Sequence, residues 1–123
     1  MANATNKITT GKLGEDLACR YLTKKGYKIL ERNYRRPWGE LDIVSIIPNK
    51  TLVIVEVKTV RGANATISAE SQVTKTKLEK LKRTASMYAN QSRYLTDKGW
   101  RIDLLAINII DDKAKIKHYE NIG

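Results

Sequence analysis

Asp42, Glu56 and Lys58 are the residues of this chain whose types and spacing suit a reaction. They sit in two stretches rich in Ile, Val, Leu and Thr, Glu40–Ile47 and Thr51–Thr59, joined by Pro48-Asn49-Lys50. That pattern predicts a β-hairpin. If Ile47 pairs with Thr51 across the loop, Asp42 faces Glu56 and Glu40 faces Lys58. All four then share one face, because side chains alternate along a strand, and directly opposed Cβ atoms lie roughly 4.5–5.5 Å apart. A slip of one residue would undo the arrangement. The rest of that face, Val44, Ile46, Leu52 and Ile54, is apolar, and the other carries Leu41, Ile43, Val53, Val55 and Val57. Two opposed carboxylates in such surroundings repel each other and lose hydration, a conflict that folds tolerate mainly for function. A divalent cation resolves it. Hard oxygen ligands without histidine suit Mg²⁺ or Mn²⁺ better than zinc, and Mg²⁺ is commonly held by one or two carboxylates together with waters and phosphate oxygens. The plainer alternative is an ion pair of Glu40 with Lys58, joined by Glu56, with Asp42 turned to solvent. An isolated Glu-x-Lys favours that alternative; apolar flanks and a matching acid on the preceding strand favour the cation.

These residues need a scaffold. Thr10–Lys25 reads as a helix, capped by Thr9 or Thr10 and ended by Gly26. Leu13, Leu17, Ala18, Tyr21 and Leu22 form its apolar half, Gly11 and Gly14 fall within the same arc, and Glu15 lies at the edge beside Leu22. Tyr27–Asn33 reads as a short strand, and Tyr34–Gly39 as a turn carrying Arg35, Arg36 and Trp38. Arg61–Ser68 reads as a loop of small residues. Ser71–Asn90 reads as a second helix, with Leu78, Leu81, Ala85 and Tyr88 in helical period and lysines on its other faces. Arg101–Ile110 is a near-continuous apolar strand, and Lys115–Tyr119 a short edge strand. The order is helix, three strands, helix, and one or two strands: a single α/β domain spanning residues 1–123, with residues 1–8 as a frayed end. The first three strands are expected to be antiparallel, and the second helix to return the fourth strand parallel to the third.

Composition narrows the partners. The chain has 123 residues, and its 23 Lys plus Arg against 13 Asp plus Glu give a net charge of +10. Polyanions are therefore expected, nucleic acid ahead of an acidic membrane surface. The single cysteine, Cys19, excludes an intramolecular disulfide framework and a multi-cysteine zinc site. The one histidine, His118, has no nucleophile placed beside it by sequence. No apolar run approaches the roughly 20 residues of a membrane span, and the polar start lacks a signal-peptide core. A cytoplasmic protein without a membrane partner is expected.

Gly11-x-x-Gly-Glu-x-x-Ala18, Tyr21-Leu22, Gly26-Tyr27, Gly39-Glu-Leu-Asp-Ile-Val44 and Leu52-Val-Ile-Val-Glu-Val-Lys-Thr59 together resemble the YraN family of small bacterial proteins. The likeness continues through Val73 and Lys77 to Arg101-Ile-Asp103. That family is similar to the restriction-endonuclease-like, PD-(D/E)XK superfamily, and within it to archaeal Holliday-junction resolvases. The resemblance implies a restriction-endonuclease-like αβββαβ core, a mixed central sheet flanked by helices, and metal-dependent phosphodiester cleavage. It matches Asp42 to the first motif acid, Glu56 and Lys58 to the second acid and its lysine, and Glu15 to a helix-borne acid that completes the metal site. Leu41 stands where the motif proline would be. The resemblance assigns no role to Glu40, and it sets Gln72, Lys75 and Lys77 in a region where relatives carry an auxiliary polar group.

On this reading Asp42, Glu56 and Glu15 hold Mg²⁺ or Mn²⁺ against a phosphate oxygen, which activates water and stabilises the developing charge. Lys58 orients the attacking water or takes its proton. Arg35, Arg36, Arg61, Lys75 and Lys77 neutralise flanking phosphates, and Trp38 stacks on an unpaired base or packs the turn. The leading expectation is a nuclease acting on branched or damaged DNA. The alternatives are a nucleic-acid-binding module that keeps the nuclease fold without catalysis, and a regulatory protein in which the acids form only an ion-pair cluster. A two-fold homodimer suits a junction with two cleavable strands.

Overall fold

The computed structural model describes residues 9–62 and 72–123. The frayed start and most of the Arg61–Ser68 loop, together with Ser71, lie outside the described residues. Helix α1 spans Thr10–Lys24, and the Thr9 side chain caps it by accepting the Lys12 N–H. Gly26 follows at φ +93°, a conformation that favours glycine. Strands β1 (Lys28–Arg36), β2 (Gly39–Ile46) and β3 (Leu52–Arg61) form the meander. Helix α2 (Lys75–Gln91) then leads to β4 (Trp100–Ile110) and β5 (Lys113–Tyr119). The second helix starts later than its sequence pattern predicts, because Thr74 is extended and accepts the Lys77 N–H as the cap.

The five strands form one sheet in sequential order, antiparallel except where β3 and β4 run parallel. The parallel pair is the one bridged in sequence by α2, as a crossover connection requires. Val53 and Val55 pack with Ala18 and Leu22 of α1, while Ile54 packs with Leu81 and Ala85 of α2. Alternation along β3 therefore puts the two helices on opposite faces of the sheet. Ile43, Val44, Val53, Ile54 and Val55 are all fully buried, as expected for inner strands covered on both sides. The mixed sheet flanked by helices agrees with a restriction-endonuclease-like core.

Two corrections concern β1 and β2. The first strand continues through Tyr34 to Arg36, and only Pro37 and Trp38 form the turn. Leu41 was expected on the face of Ile43 but packs with Val44 on the α2 side, while Ile43 packs on the α1 side. Alternation is broken at Asp42. Opposite it, between the pairs Arg32↔Ile43 and Tyr34↔Leu41, Asn33 adopts a left-handed φ of +53°, a conformation in which Asn is enriched.

Candidate active site

The hairpin register is the predicted one. The Ile47 N–H donates to the Thr51 carbonyl, and the ladder runs from Ile46↔Leu52 to Ile43↔Val55. It stops there, just short of the acids. Beyond it Asp42 Oδ2 accepts the backbone N–H of Val57 at 2.8 Å, so the carboxylate supplies the partner that the ladder no longer provides. Asp42 and Glu56 line a cleft of about 310 Å³ between the sheet and α2, together with Lys58, Lys77 and Lys80.

Burial foremost, then the charge of Asp42 and hydrogen bonding with its carboxyl, together push the Glu56 carboxyl up to about 7 against the opposing pull of Lys58. The Glu56 side chain is 19% exposed, and Lys58 Nζ lies 3.4 Å from its Oε2. One acid therefore sits beside another with its proton held near neutrality, and an ammonium stands two residues along the same strand. Glu40 is not paired across from Lys58, since the ladder ends before it. Its Oε1 meets Arg35 Nη1 at 3.3 Å across the β1–β2 pair, and the side chain stays mostly exposed at the cleft rim.

Glu15 does not join the other two acids. It lies on α1, on the opposite side of the sheet from α2, and its carboxylate faces Arg32 Nη2 at 3.8 Å. Gly14 determines this seating: a Cβ there would overlap Thr59 Oγ1 of β3, so the helix rests directly on the strand at that point. The neighbouring Asp16 binds Arg32 Nη2 at 2.8 Å, and hydrogen bonds from Arg32 and Lys12 hold its carboxyl below the ordinary value. Arg32 thus draws both helix acids toward β1. Among the described residues no three acids, histidines or cysteines are grouped as a metal centre, so the expected convergence of Glu15, Asp42 and Glu56 reduces to Asp42 with Glu56.

The basic residues divide. Lys77 lines the cleft, as does Lys80, another of the lysines on the non-core faces of the second helix. Lys77, Lys80 and Thr84 fall at helical spacing on one side of α2, a signal that could have selected Lys80. Lys75 is exposed on the first turn of α2 and lies outside the cleft lining. Arg35 is engaged by Glu40, Arg36 lies 4.2 Å over the Tyr34 ring, and Arg61 Nε donates to Thr10 Oγ1. Trp38, at the hairpin tip, is 46% exposed and does not pack the turn into the core. Gln72 stands before α2, where Lys77 Nζ meets its carbonyl oxygen at 3.5 Å. Gly39 is explained by α2: a Cβ would overlap Thr84 Oγ1, and this close approach brings the Gly39-Glu-Leu-Asp42 segment beneath the helix lysines.

A second polar cluster, not anticipated, lies at the start of β4. The buried Asp103 carboxylate accepts from Arg101 Nε at 2.9 Å and the Asn121 N–H at 2.9 Å, and its Oδ2 lies 2.8 Å from His118 Nε2. Burial alone would raise its pKa, but these hydrogen bonds and the Arg101 charge outweigh burial and hold it below the ordinary value. His118 is thereby fixed as a structural partner that ties β5 to β4.

Two oxygen acids in a cleft with three lysines form a donor set that fits a divalent cation sharing its shell with a phosphate. No helix of the described residues is long and apolar enough to cross a membrane. Sequence comparison adds the lineage. The chain is 40% identical over 113 residues to a UPF0102 protein of Alkaliphilus oremlandii, covering 90% of this chain and 94% of the relative. It is 44% identical over 115 residues to one from Thermodesulfovibrio yellowstonii, covering 94% and 96%. Among solved structures, a protein of unknown function from Silicibacter pomeroyi aligns at a TM-score of 0.41 and 15% identity, over 94% of this chain and 75% of that one. The model described as uncharacterised protein family UPF0102, the YraN family, matches residues 14–107, and the chain belongs to that family.

Proposed function

We propose that this protein is a metal-dependent nuclease that hydrolyses phosphodiester bonds of DNA, acting in the cytoplasm on branched or damaged structures. The observation that carries the reading is the pairing of Asp42 with Glu56 at the end of the β2–β3 ladder, with Glu56 raised to about 7 and Lys58 at 3.4 Å. Asp42 and Glu56 would hold Mg²⁺ or Mn²⁺. When bound, the cation supplies Lewis acidity to a phosphate oxygen and makes water a better nucleophile. Asp42 is held in place by the Val57 N–H. Lys58, 3.4 Å from Glu56, would orient the attacking water or stabilise the phosphate charge. Lys77 and Lys80 line the same cleft and neutralise the phosphates on either side, which positions the strand without reading its sequence.

The binding-module reading draws on one observation, the turning of Glu15 toward Arg32, which leaves two acids where the resemblance implies three. A cleavage panel separates the two. Single-stranded, duplex, flap and four-way-junction DNA, with RNA as a further arm, are incubated with Mg²⁺ or Mn²⁺ and either wild type or Lys58→Ala. Cutting of at least one DNA by wild type, lost in Lys58→Ala, supports the nuclease. Binding with no cutting above the variant's background supports the module.

A further inference from the structure

A second concavity lies on the α2 side of the sheet, beyond the acidic cleft. It has a volume of about 290 Å³ and is lined by residues that include Glu31, Tyr34, Arg36, Tyr88, Arg93 and Tyr94. Arg36 lies 4.2 Å over the Tyr34 ring, and Arg93 lies 5.0 Å over the Tyr94 ring. Among the described residues neither arginine forms an ion pair; Arg36 donates to the Arg35 carbonyl and Arg93 to the Tyr94 hydroxyl. The floor is fixed. Tyr34 and Tyr88 pack edge to face at 4.9 Å, and the Tyr88 hydroxyl donates to Glu31 Oε1 at 3.0 Å. The rim is ordered as well, since Ser92 Oγ accepts the Tyr94 N–H at 3.1 Å.

Two elements join this pocket to the cleft. Gly39 of the cleft is the cross-strand partner of Arg36 of the pocket. On α2, Thr84 lines the cleft and Tyr88, one turn later, lines the pocket, about 6 Å along the helix axis. A strand whose phosphate lies in the cleft therefore has its neighbouring nucleotides within reach of the pocket.

The geometry points to a binding subsite for an unpaired nucleobase, set beside the phosphodiester cleft and selecting DNA with a single-stranded segment next to the cut. Aromatic rings and arginine planes are the surfaces on which unstacked bases pile, independent of base identity. The volume is at the low end for ligand pockets and suits one ring system better than an extended ligand. Glu31 adds an acceptor for a base amino group, and Arg36 and Arg93 add charge for the phosphates on either side. A fully paired base has no exposed face to offer. The placement next to the cleavage site rests on the nuclease reading; the binding of an unpaired base does not.

The test is fluorescence anisotropy of the full chain in chelator, with labelled oligothymidylate and a blunt duplex as probes. Tyr94→Ala changes no charge and should weaken oligothymidylate binding by about tenfold or more while leaving duplex binding unchanged. Tyr94→Phe keeps the ring and should bind like wild type, and thermal melting checks that both variants fold. Wild-type affinity of Tyr94→Ala for oligothymidylate, or an equal loss for both probes, overturns the subsite. Because chelator removes turnover, Tyr94-dependent binding in a protein that cuts nothing rejects the nuclease reading alone. Cutting of flap DNA with single-strand binding unaffected in Tyr94→Ala rejects the subsite alone.

Discussion

Asp42 Oδ2 accepts the Val57 backbone N–H at 2.8 Å, and it does so where the β2–β3 ladder has ended at Ile43↔Val55. The acid is thus both a candidate ligand and the partner of an otherwise unpaired donor. Asp42→Ala should cost about 1–3 kcal/mol, the usual loss when a partly buried donor is left unsatisfied. Asp42→Asn keeps an acceptor oxygen there and should not show that loss. Urea denaturation of the three proteins checks the difference; equal midpoints for Ala and wild type would remove the capping role.

Glu56 sets the alkaline side of stability in metal-free protein. Its folded value of about 7 exceeds the ordinary 4.5, so the folded state holds the proton more tightly than the unfolded chain does. The resulting stabilisation is complete below about pH 4.5 and is lost as pH rises through about 7, amounting to about 3 kcal/mol. Melting in chelator should fall across that window in wild type, and Glu56→Gln should flatten the profile. A wild-type profile that is already flat between those values contradicts the raised acid.

Gly39 and Thr84 test the contact that lowers α2 onto the motif segment. Gly39→Ala places a methyl group on Thr84 Oγ1 and should destabilise by about 1–3 kcal/mol. Thr84→Ala removes the opposing atoms, so the double variant should recover stability relative to Gly39→Ala alone. Additive losses in chemical denaturation would mean that the two residues are not coupled.

What the sequence made legible was local or periodic. The Pro48-Asn49-Lys50 loop and the flanking apolar runs determine the hairpin register, so the juxtaposition of Asp42 with Glu56 could be read in advance. The lysine face of α2 and the parallel return of β4 followed from spacing and connection length. The fate of Glu15 depends on a distant group: Arg32 of β1 takes its charge, which a helical period does not reveal, although the period does place Gly14 in the buried arc where the helix closes on Thr59. The break in alternation at Asp42 lies opposite Asn33, which is left-handed on the neighbouring strand, and neither departure is marked in the strand pattern. Asp103, Arg101 and His118 come together only when β5 pairs with β4, and each reads as an ordinary strand residue by itself.

That last cluster carries its own prediction. Asp103 is fully buried and compensates Arg101, so Asp103→Asn should cost about 3 kcal/mol by removing the buried anion and leaving the guanidinium only the exposed Glu120 at 3.6 Å. Its pKa is held below the ordinary 3.8, so its contribution is present above that value and is lost as pH falls through the lower folded value. Acid unfolding followed by circular dichroism should therefore shift to higher pH in any variant that weakens the cluster, His118→Ala included. An unchanged acid midpoint in both variants would show that the cluster is not a source of stability.

The central claim, that Asp42 and Glu56 are paired for a cation and not for the fold, is tested most directly by measuring one variant in two ways. Asp42→Asn removes like-charge repulsion and keeps the Val57 bond, so its metal-free melting temperature should equal or exceed that of wild type. Its cleavage of DNA carrying an unpaired strand, in Mg²⁺ or Mn²⁺, should be abolished, and chelator should abolish wild-type cleavage likewise. A marked fall in metal-free melting temperature, or cutting at the wild-type rate, would contradict the account.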